Sequence, residues 1–525
     1  MKNSTKSITK ILYLRRLPLL LPLLLLIPLG IAVELDLPQL WNGLPAMGHL
    51  IGRMLTPDLP YAKEVLTALS ETVEIAVIAS LIGTILSVPF VLLSASTTRP
   101  FALLAEILNK IFAFLRTVPS LIWAALLVSV FGLGKFPGIL ALAIIALLIS
   151  QKLLREGVEG IETERLQAVL ATGANRLQLM KYCVFPELKE LLFSSFFIVL
   201  ESNIRSAAVL GFVGAGGIGL IMWRDMNHMQ YDRLATIILI LFFTVLLIDL
   251  ISLFLRKYLL NLSFPAKNIS ALRRKRKLQL LLNFSFIAAV FFLCLRSAQV
   301  TQERLMIGLS QGAQILRLMI AVNPDYLPKL LVGLRESFFI AVFATLAGGL
   351  LALLFSYPCA YTISPSRRLS LLMKLLVNIM RTFPPIITAI ILFRGVGPGP
   401  AAGALSLTIY TGAILTKMYC EHIEGLDRDV ADSLRATGAN NFQIYHAAVV
   451  PQTLFAFLGF MLYRLESNIR NSTILGVIGA GGIGTLITMN IKWRNWGNVG
   501  LLILGAALLT AGIDALSTAL RKKLK

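Results

Sequence analysis

Long apolar runs dominate this sequence and limit the folds that are open to it. A helix that crosses a bilayer needs about 20 mostly apolar residues, and each half of the chain holds six such runs. In the first half they are 17–35, 65–95, 101–131, 137–152, 190–212 and 234–255. In the second half they are 278–296, 331–360, 371–394, 401–420, 452–475 and 499–520. The sequence therefore predicts an all-α integral membrane protein with about 12 transmembrane helices.

The composition supports this prediction and argues against other classes of protein. Hydrophobic residues make up 57% of the chain and charged residues only 14%, whereas a soluble domain carries about 25% charged residues. The net charge of +22 is concentrated between the apolar runs, as cytoplasmic loops require, so we do not expect a nucleic-acid partner. The four cysteines form no CxxC pair and the four histidines are not paired at ligand spacing. We therefore expect no metal site and no cofactor bound by this chain.

Lysine and arginine residues predict the orientation. Basic residues begin the chain, follow the sixth apolar run at 256–277 and end the chain at 521–525. The positive-inside rule places all three segments in the cytoplasm. No small-residue cleavage site follows the first run, so we read it as a retained span. The expectation is a multi-pass protein of the plasma (inner) membrane, in contact with the lipid bilayer, with cytoplasmic N- and C-termini.

The two halves of the sequence repeat one another at an offset of 265 residues, the separation of Glu201 from Glu466. Such fixed-period similarity points to duplication and fusion. We expect a first repeat at 1–255, a basic cytoplasmic linker at 256–277 and a second repeat at 278–525. Because each repeat holds an even number of spans, both have the same orientation, and a pseudo-twofold axis along the membrane normal would relate them. The same offset also joins Glu71 to Glu336, Arg116 to Arg381, Gly173 to Gly438 and Pro186 to Pro451.

A polar stretch separates the fourth and fifth runs of each repeat, at 156–188 and 421–453, and we place it in the cytoplasm. Both copies contain ATGAN, whose glycine can end one helix before another begins. The proline thirteen residues after that glycine makes the stretch similar to the EAA loop of ABC importer permeases. In that family the loop helix sits in a groove of the ATPase subunit. A surface helix that only links two spans is the simpler alternative.

The resemblance implies ATPase-coupling residues in both copies. The acidic position of the family pattern holds Asp432 in the second copy but Gln167 in the first, which suggests that the two contacts are unequal. No phosphate-binding P-loop occurs in the chain, so ATP would be bound by two separate ABC ATPase subunits. The expected coupling residues are Gln167, Ala171, Gly173, Ala174, Asp432, Ala436, Gly438 and Ala439.

Charged residues interrupt the fifth run of each repeat, where ESNIR stands at 201–205 and 466–470. A charge at the bilayer centre costs about 2.5–3.5 kcal/mol on insertion scales, and Glu and Arg four residues apart on a helix can pair. The pair is either a structural ion pair or part of a polar patch along a substrate path. The expected path residues are Glu201, Asn203, Arg205, Glu466, Asn468 and Arg470, together with Arg116 and Arg381, which precede prolines that should kink the third run. Guanidinium groups at these positions would suit an oxyanion.

GAGGIG follows ESNIR at 214–219 and 479–484. No strand precedes it, so it is not a dinucleotide-binding fingerprint. The glycines allow a sharp turn or a close helix contact near an external gate, and plain helix termination is the alternative. The expected gate or close-packing residues are Gly214, Gly216, Gly217, Gly479, Gly481 and Gly482.

These motifs together resemble the permease of phosphonate ABC importers, with two permease units fused in one chain. The resemblance implies a type I importer permease fold and transport rather than enzymatic catalysis. It implies ATP-driven alternating access for phosphonate, phosphite or phosphate, with ligand delivered by an extracytoplasmic substrate-binding protein. Two alternatives stay open. One is an ABC permease for a methionine-like or osmoprotectant-like solute, and the other is a secondary transporter that needs no ATPase.

Overall fold

The computed structural model describes residues 24–260, 302–427 and 429–524, and every regular element in these ranges is a helix. The prediction of an all-α chain is therefore confirmed for the described part. The predicted run at 278–296, the linker at 256–277 beyond residue 260, and the start of the first run lie outside the described residues.

The helices of the first half carry the labels α1 to α11. They are α1 Leu24–Ala32, α2 Leu37–Met54, α3 Ala62–Ser94, α4 Ala102–Thr117, α5 Ser120–Phe131, α6 Lys135–Glu159, α7 Thr163–Ala171, α8 Arg176–Leu179, α9 Phe185–Leu210, α10 Ile218–Asn227 and α11 Tyr231–Leu260. A π-helical turn, Met180–Val184, joins α8 to α9.

The helices of the second half carry the labels α12 to α21. They are α12 Gln302–Ile320, α13 Leu327–Cys359, α14 Arg367–Thr382, α15 Pro385–Val396, α16 Pro400–Glu424, α17 Asp429–Ala436, α18 Asn441–Ile444, α19 Val450–Gly476, α20 Ile483–Lys492 and α21 Trp496–Leu524. Another π-helical turn, Tyr445–Val449, joins α18 to α19.

Six helical segments in the described part are long and apolar enough to cross a membrane, and four bent helix pairs raise the number of candidate crossings to ten. The predicted kink in the third run of each repeat is confirmed: α4 meets α5 at 87° and α14 meets α15 at 89°. Pro119 and Pro384 stand at these bends, and the residue before each proline is extended. A proline disfavours helical geometry at the residue before it, which ends α4 and α14 there.

Small residues let the long helices approach one another closely. Gly83 of α3 faces Ala146 of α6, and a Cβ atom at Gly83 would come within 2.6 Å of the Ala143 carbonyl oxygen. The equivalent Gly348 of α13 faces Thr411 of α16, where a Cβ atom would lie 3.0 Å from the Thr411 Cβ. In a bilayer, helices associate mainly through such close packing, so these pairs form the centre of each repeat.

The chain forms two compact units that do not follow the order of the sequence. One unit spans Arg53–Arg317, and the other combines Met1–Gly52 with Leu318–Lys525. In the second of these units, Gly43 of α2 lies against the backbone of Gly395 in α15, and Met47 packs in one cluster with Leu392. The N-terminal helix α2 is therefore part of the unit built by the second half.

Helix α12 shows the reciprocal arrangement. It is the equivalent of α2 at the 265-residue offset of the repeat, and Gly308 in it packs against the ring of Phe131 in α5. Most of α12 thus belongs to the unit built by the first half. The two repeats exchange their equivalent helices, which the sequence pattern did not predict.

Candidate functional site

The charged residues of ESNIR form an ion pair on one helix face in each repeat. In α9 the Arg205 Nη2 atom donates to Glu201 Oε1 at 2.7 Å, and in α19 Arg470 Nη2 donates to Glu466 Oε1 at 2.8 Å. The pairs are half-buried rather than enclosed, because 31% of the Arg205 side chain and 24% of the Arg470 side chain are exposed. Each arginine side chain is therefore partly accessible.

The asparagines of ESNIR have a different environment. Asn203 and Asn468 are fully buried. Asn203 Nδ2 donates to Ser80 Oγ at 2.9 Å, and Asn468 Nδ2 donates to Thr345 Oγ1 at 2.9 Å. These bonds tie α9 to α3 and α19 to α13. Within one motif, the Glu–Arg pair stays partly accessible while the amide holds the helix in place.

The second repeat surrounds its asparagine with more polar groups than the first. Asn468 Oδ1 accepts hydrogen bonds from Thr411 Oγ1 at 2.9 Å and from Arg464 Nη2 at 3.2 Å. Arg464 is only 6% exposed, and its guanidinium carbon lies 5.5 Å from the centre of the Tyr410 ring. A buried cation thus depends on one amide and one aromatic face.

The first repeat has apolar residues at the matching positions. Ala146 and Val199 stand where the second repeat has Thr411 and Arg464. Consistent with this, Asn203 Oδ1 has no hydrogen-bond partner among the described residues. The sequence reading did not single out Arg464, although a basic residue in the apolar run at 452–475, two positions before ESNIR, was the available signal.

Arg116 and Arg381 lie in the last turns of α4 and α14, next to the proline bends. Both are half-buried. Arg116 lines a cavity between α4 and α6. The structure therefore places these two arginines at the bends of the third span, on helices other than those that carry ESNIR.

The glycine run forms a turn that is anchored on the neighbouring long helix. Gly217 has φ +72°, and the following Ile218 N–H donates to Thr72 Oγ1 of α3 at 2.7 Å. In the second repeat Ile483 N–H donates to Ser337 Oγ of α13 at 2.9 Å, and Gly482 N–H donates to Glu336 Oε2 at 3.0 Å. A Cβ atom at Gly217 would come within 2.5 Å of Thr72 Oγ1. Left-handed backbone and close approach therefore both require glycine here.

The other glycines that were predicted as gate or close-packing residues share this backbone geometry. All six predicted positions have positive φ angles: Gly214, Gly216, Gly217, Gly479, Gly481 and Gly482. The turn separates α9 from α10, and the helical segments on either side of it meet at 48°. The chain therefore turns at the end of the span and continues as a short helix.

The polar loop of each repeat folds as the ATGAN motif predicts. Gly173 has φ +78° and Gly438 has φ +84°, and these glycines end α7 and α17. The asparagine that follows caps the next helix: Asn440 Oδ1 accepts from Gln443 N–H at 2.8 Å, and Asn175 Oδ1 accepts from Gln178 N–H at 2.8 Å. The glycine terminates one helix and the asparagine starts another.

The two loop helices are held differently. Asp432 Oδ1 accepts from Arg435 Nη1 at 2.8 Å, and Arg435 Nη2 donates to the Thr362 carbonyl at 2.8 Å, which ties α17 to the α13–α14 loop. In the first repeat Arg165 of α7 lies 3.7 Å from Glu187 of α9. The remaining predicted coupling residues are exposed or half-buried: Gln167, Ala171, Ala174, Ala436 and Ala439.

Comparison with known proteins gives a consistent family. The profile of the family "Binding-protein-dependent transport system inner membrane component" matches residues 87–261 and 346–525. The phosphate-import permease protein PhnE of Mycolicibacterium smegmatis is 27% identical over 94% of this chain and 92% of its own length. The phosphite transport system permease protein PtxC of Stutzerimonas stutzeri is 30% identical over 43% of this chain and 82% of its own length. A putative cryptic phosphonate transport system permease protein, PhnE2, of Escherichia coli is 41% identical over 21% of this chain and 90% of its own length.

Proposed function

Because this chain belongs to the family of binding-protein-dependent transport system inner membrane components, we propose that it is the permease subunit of an ABC importer for a phosphorus oxyanion. Phosphonate, phosphite and phosphate form the substrate class. The relatives with phosphate, phosphite and phosphonate in their names support this class, and the first of them covers 94% of the chain. The permease moves its substrate without covalent chemistry, and ATP is hydrolysed on partner subunits.

The observation that carries the substrate class is the accessible Arg–Glu pair in the membrane helix of each repeat. Arg205 uses Nη2 to bond Glu201, whereas a guanidinium offers five N–H donors in a planar fork. The donors that the glutamate does not use suit an oxygen-rich anion, and the glutamate offsets the charge of the arginine when no anion is present. In this proposal Glu201, Arg205, Glu466 and Arg470 line the substrate path, and the two buried asparagines position their helices.

The partners follow from the loop helices. One ABC ATPase subunit docks on α7 and another on α17, so each chain engages two ATPases. Both helices expose their predicted coupling positions, including Gln167 and Asp432, which supports a docking role. An extracytoplasmic substrate-binding protein delivers the anion from the other side. In this proposal the chain lies in the plasma (inner) membrane and both of its termini are cytoplasmic, as the basic terminal segments favour.

A charge-swapped pair tests whether ESNIR serves the path or only packing. In the double variant Glu201→Arg, Arg205→Glu, the ion pair on α9 is retained but its polarity along the helix is reversed. We expect normal membrane insertion and at least a roughly tenfold loss of phosphorus-oxyanion uptake in proteoliposomes that contain the ATPase and the binding protein, equivalent to about 1.4 kcal/mol. Swapping Lys152 and Glu156, an exposed pair at the same spacing on α6, provides the control.

The outcome separates the two readings of the motif. Full uptake by the swapped Glu201–Arg205 variant would make the pair a packing element and remove the support for an oxyanion path. Growth of a deletion strain on phosphonate, phosphite or phosphate as sole phosphorus source then identifies the substrate within the class. Loss of uptake of an amino acid or osmoprotectant, with phosphorus uptake intact, would assign the permease to another solute.

A further inference from the structure

A basic cavity of about 470 Å³ lies in the first repeat between the α3–α4 loop, α4 and α6. Four cationic side chains and a single carboxylate line it. The cationic residues are Arg99, Lys110, Arg116 and Arg155, and the carboxylate is Glu106. A cavity with this excess of positive charge favours an anionic occupant.

Polar groups of the residues that line the cavity are only partly satisfied. The Nε atom of Arg155 is buried and has no hydrogen-bond partner among the residues that the structure describes. Gln151, only 2% exposed, donates to Ser94 Oγ at 3.0 Å and holds one wall of the cavity. The carboxylate of Glu106 is already engaged by Lys110 Nζ at 2.7 Å. Since buried donors normally have a partner, the Arg155 guanidinium is suited to bond an additional acceptor.

The second repeat builds the same helix packing without this cavity chemistry. At the positions of Arg99, Lys110 and Arg155 it has the neutral residues Ser364, Leu375 and Cys420. Among the positions equivalent to the cavity lining, the second repeat has one cation that the first repeat lacks, Lys374, and it is paired with Glu424 at 2.7 Å. The fold therefore does not require the basic residues of the first repeat, which argues for a ligand rather than a packing role.

We propose that this cavity binds a phosphate-type oxyanion, at one site per chain, on the cytoplasmic side. The assignment to the cytoplasmic side rests on the proposed function. Arg99 and Arg155 supply guanidinium forks that match phosphate oxygens, and Lys110 adds a point charge. Helix α6 ends at Glu159, and α7 begins at Thr163. An anion in the cavity therefore sits beside the segment that leads into the first ATPase-docking helix.

Two sources can supply this chemistry: a free phosphorus oxyanion in the cytoplasm, or the phosphate of an anionic lipid headgroup, since basic pockets between membrane helices also bind headgroups. Titration of the full-length chain with inorganic phosphate, in nanodiscs of phosphatidylcholine alone, detects the site. Repeating the titration in discs that contain phosphatidylglycerol distinguishes the sources. A free anion still binds in those discs, whereas a headgroup ligand displaces phosphate and is retained on the purified chain.

Substitutions of cavity residues, with a control outside the cavity, test the proposed site. Arg155→Gln and Arg99→Ser should each weaken binding at least tenfold, by phosphate titration or by lipid retention. Lys152→Gln removes one charge from α6 outside the cavity and should leave binding unchanged. Arg99 is exposed, so its replacement provides a variant that folds normally. Absence of both phosphate binding and lipid retention, or equal binding by Arg99→Ser and the parent chain, would overturn the proposal.

The proposed cavity site and the proposed transport function can be contradicted independently. The swapped Glu201–Arg205 variant should lose uptake and still bind phosphate in this cavity. Phosphate binding that is lost in that swapped variant but unchanged in Arg155→Gln would place the bound anion in the transport path and overturn the proposed cavity site. Failure of phosphorus uptake by the parent chain, with binding that depends on Arg155, would overturn the transported substrate and leave the cavity site standing.

Discussion

At the scale of single residues, the two copies of ESNIR are the same in sequence and unequal in surroundings. Asn203 has one described side-chain bond, to Ser80, whereas Asn468 joins Thr345, Thr411 and the buried Arg464. Hydrogen bonds between membrane helices contribute roughly 1 kcal/mol each. An uncompensated buried charge costs more, about 3–5 kcal/mol when its partner is removed. The second copy should therefore be much more sensitive to loss of its amide.

Replacing each asparagine by alanine tests this difference. We expect Asn203→Ala to lower the free energy of unfolding by roughly 1 kcal/mol. Asn468→Ala should lower it by about 3 kcal/mol, because Arg464 then loses its only described hydrogen-bond partner. Thermal or denaturant unfolding of the purified chain, followed by tryptophan fluorescence, measures the two values. Equal losses would contradict the assignment of Asn468 as the partner of a buried charge.

A second prediction concerns Arg464, because the first repeat has valine at the equivalent position. Arg464→Val introduces the residue that the first repeat has at Val199. Replacing a buried charged group by a well-packed apolar one is often neutral or stabilising by about 1–4 kcal/mol, so we expect stability to be unchanged or higher. In this background Asn468→Ala should cost no more than Asn203→Ala. If Asn468→Ala still lowered the free energy of unfolding by about 3 kcal/mol in the Arg464→Val background, the two effects would be additive and the arginine would not depend on the amide.

At the scale of helices, the ATGAN loop shows how far local sequence determines structure. Its glycine ends one helix with a positive φ angle, as the sequence predicts. The asparagine that caps the next helix is an equally local feature, although it was not among the predictions. The sequence predicts that the chain bends at Pro119 and Pro384, but it does not predict the bend angles. Proline explains why α4 and α14 end, but the angles of 87° and 89° depend on the packing of α5 and α15 against distant helices.

The loop glycine offers a prediction about coupling. Nothing lies within 4 Å of a Cβ atom at Gly438, so the effect of a substitution comes from its φ angle of +84°. Gly438→Ala should disfavour the helix end by about 1–2 kcal/mol, and Gly438→Asn should cost less, because asparagine tolerates this conformation. We expect ATPase activity stimulated by the binding protein to fall with alanine and to be largely retained with asparagine.

A matched glycine provides the control. Gly459 lies inside α19, with no atom within 4 Å of its Cβ position. Gly459→Ala makes the same chemical change at a helical φ and should leave coupling intact. Membrane insertion should be normal in all three variants. Equal coupling by Gly438→Ala and Gly459→Ala would show that the helix end of the loop does not transmit the ATPase movement.

At the scale of the whole molecule, the duplication is visible in the sequence but the exchange of helices is not. The glycines and small residues of α2 do not reveal which helix α2 packs against. A contact between residues as distant in sequence as Gly43 and Gly395 leaves no local sequence pattern. The same limit applies to the candidate site. ESNIR and the glycine run stood out as motifs, whereas Arg464 and the cavity around Arg155 became recognisable only when separate helices were brought together.

The exchange can be tested with two glycines of one helix. A Cβ atom at Gly43 would overlap the backbone of Gly395, whereas nothing lies within 4 Å of a Cβ atom at Gly48. Gly43→Ala should therefore destabilise the unit by about 1–3 kcal/mol through overpacking, and Gly48→Ala should be neutral or slightly stabilising. Unfolding of the purified full-length chain measures both. Equal effects would show that α2 does not pack on α15.

The helix exchange also has a consequence for the evolution and expression of the gene. A chain cut between its repeats leaves each product without one helix of its compact unit, so neither product is a self-sufficient folding unit. Divergence of α2 is constrained by α15 in the other half of the gene, and divergence of α12 by α5. A half-length relative that keeps this contact must obtain the helix from a second polypeptide. In the tandem chain one messenger supplies both pieces in equal number, so that assembly no longer depends on matched expression of two genes.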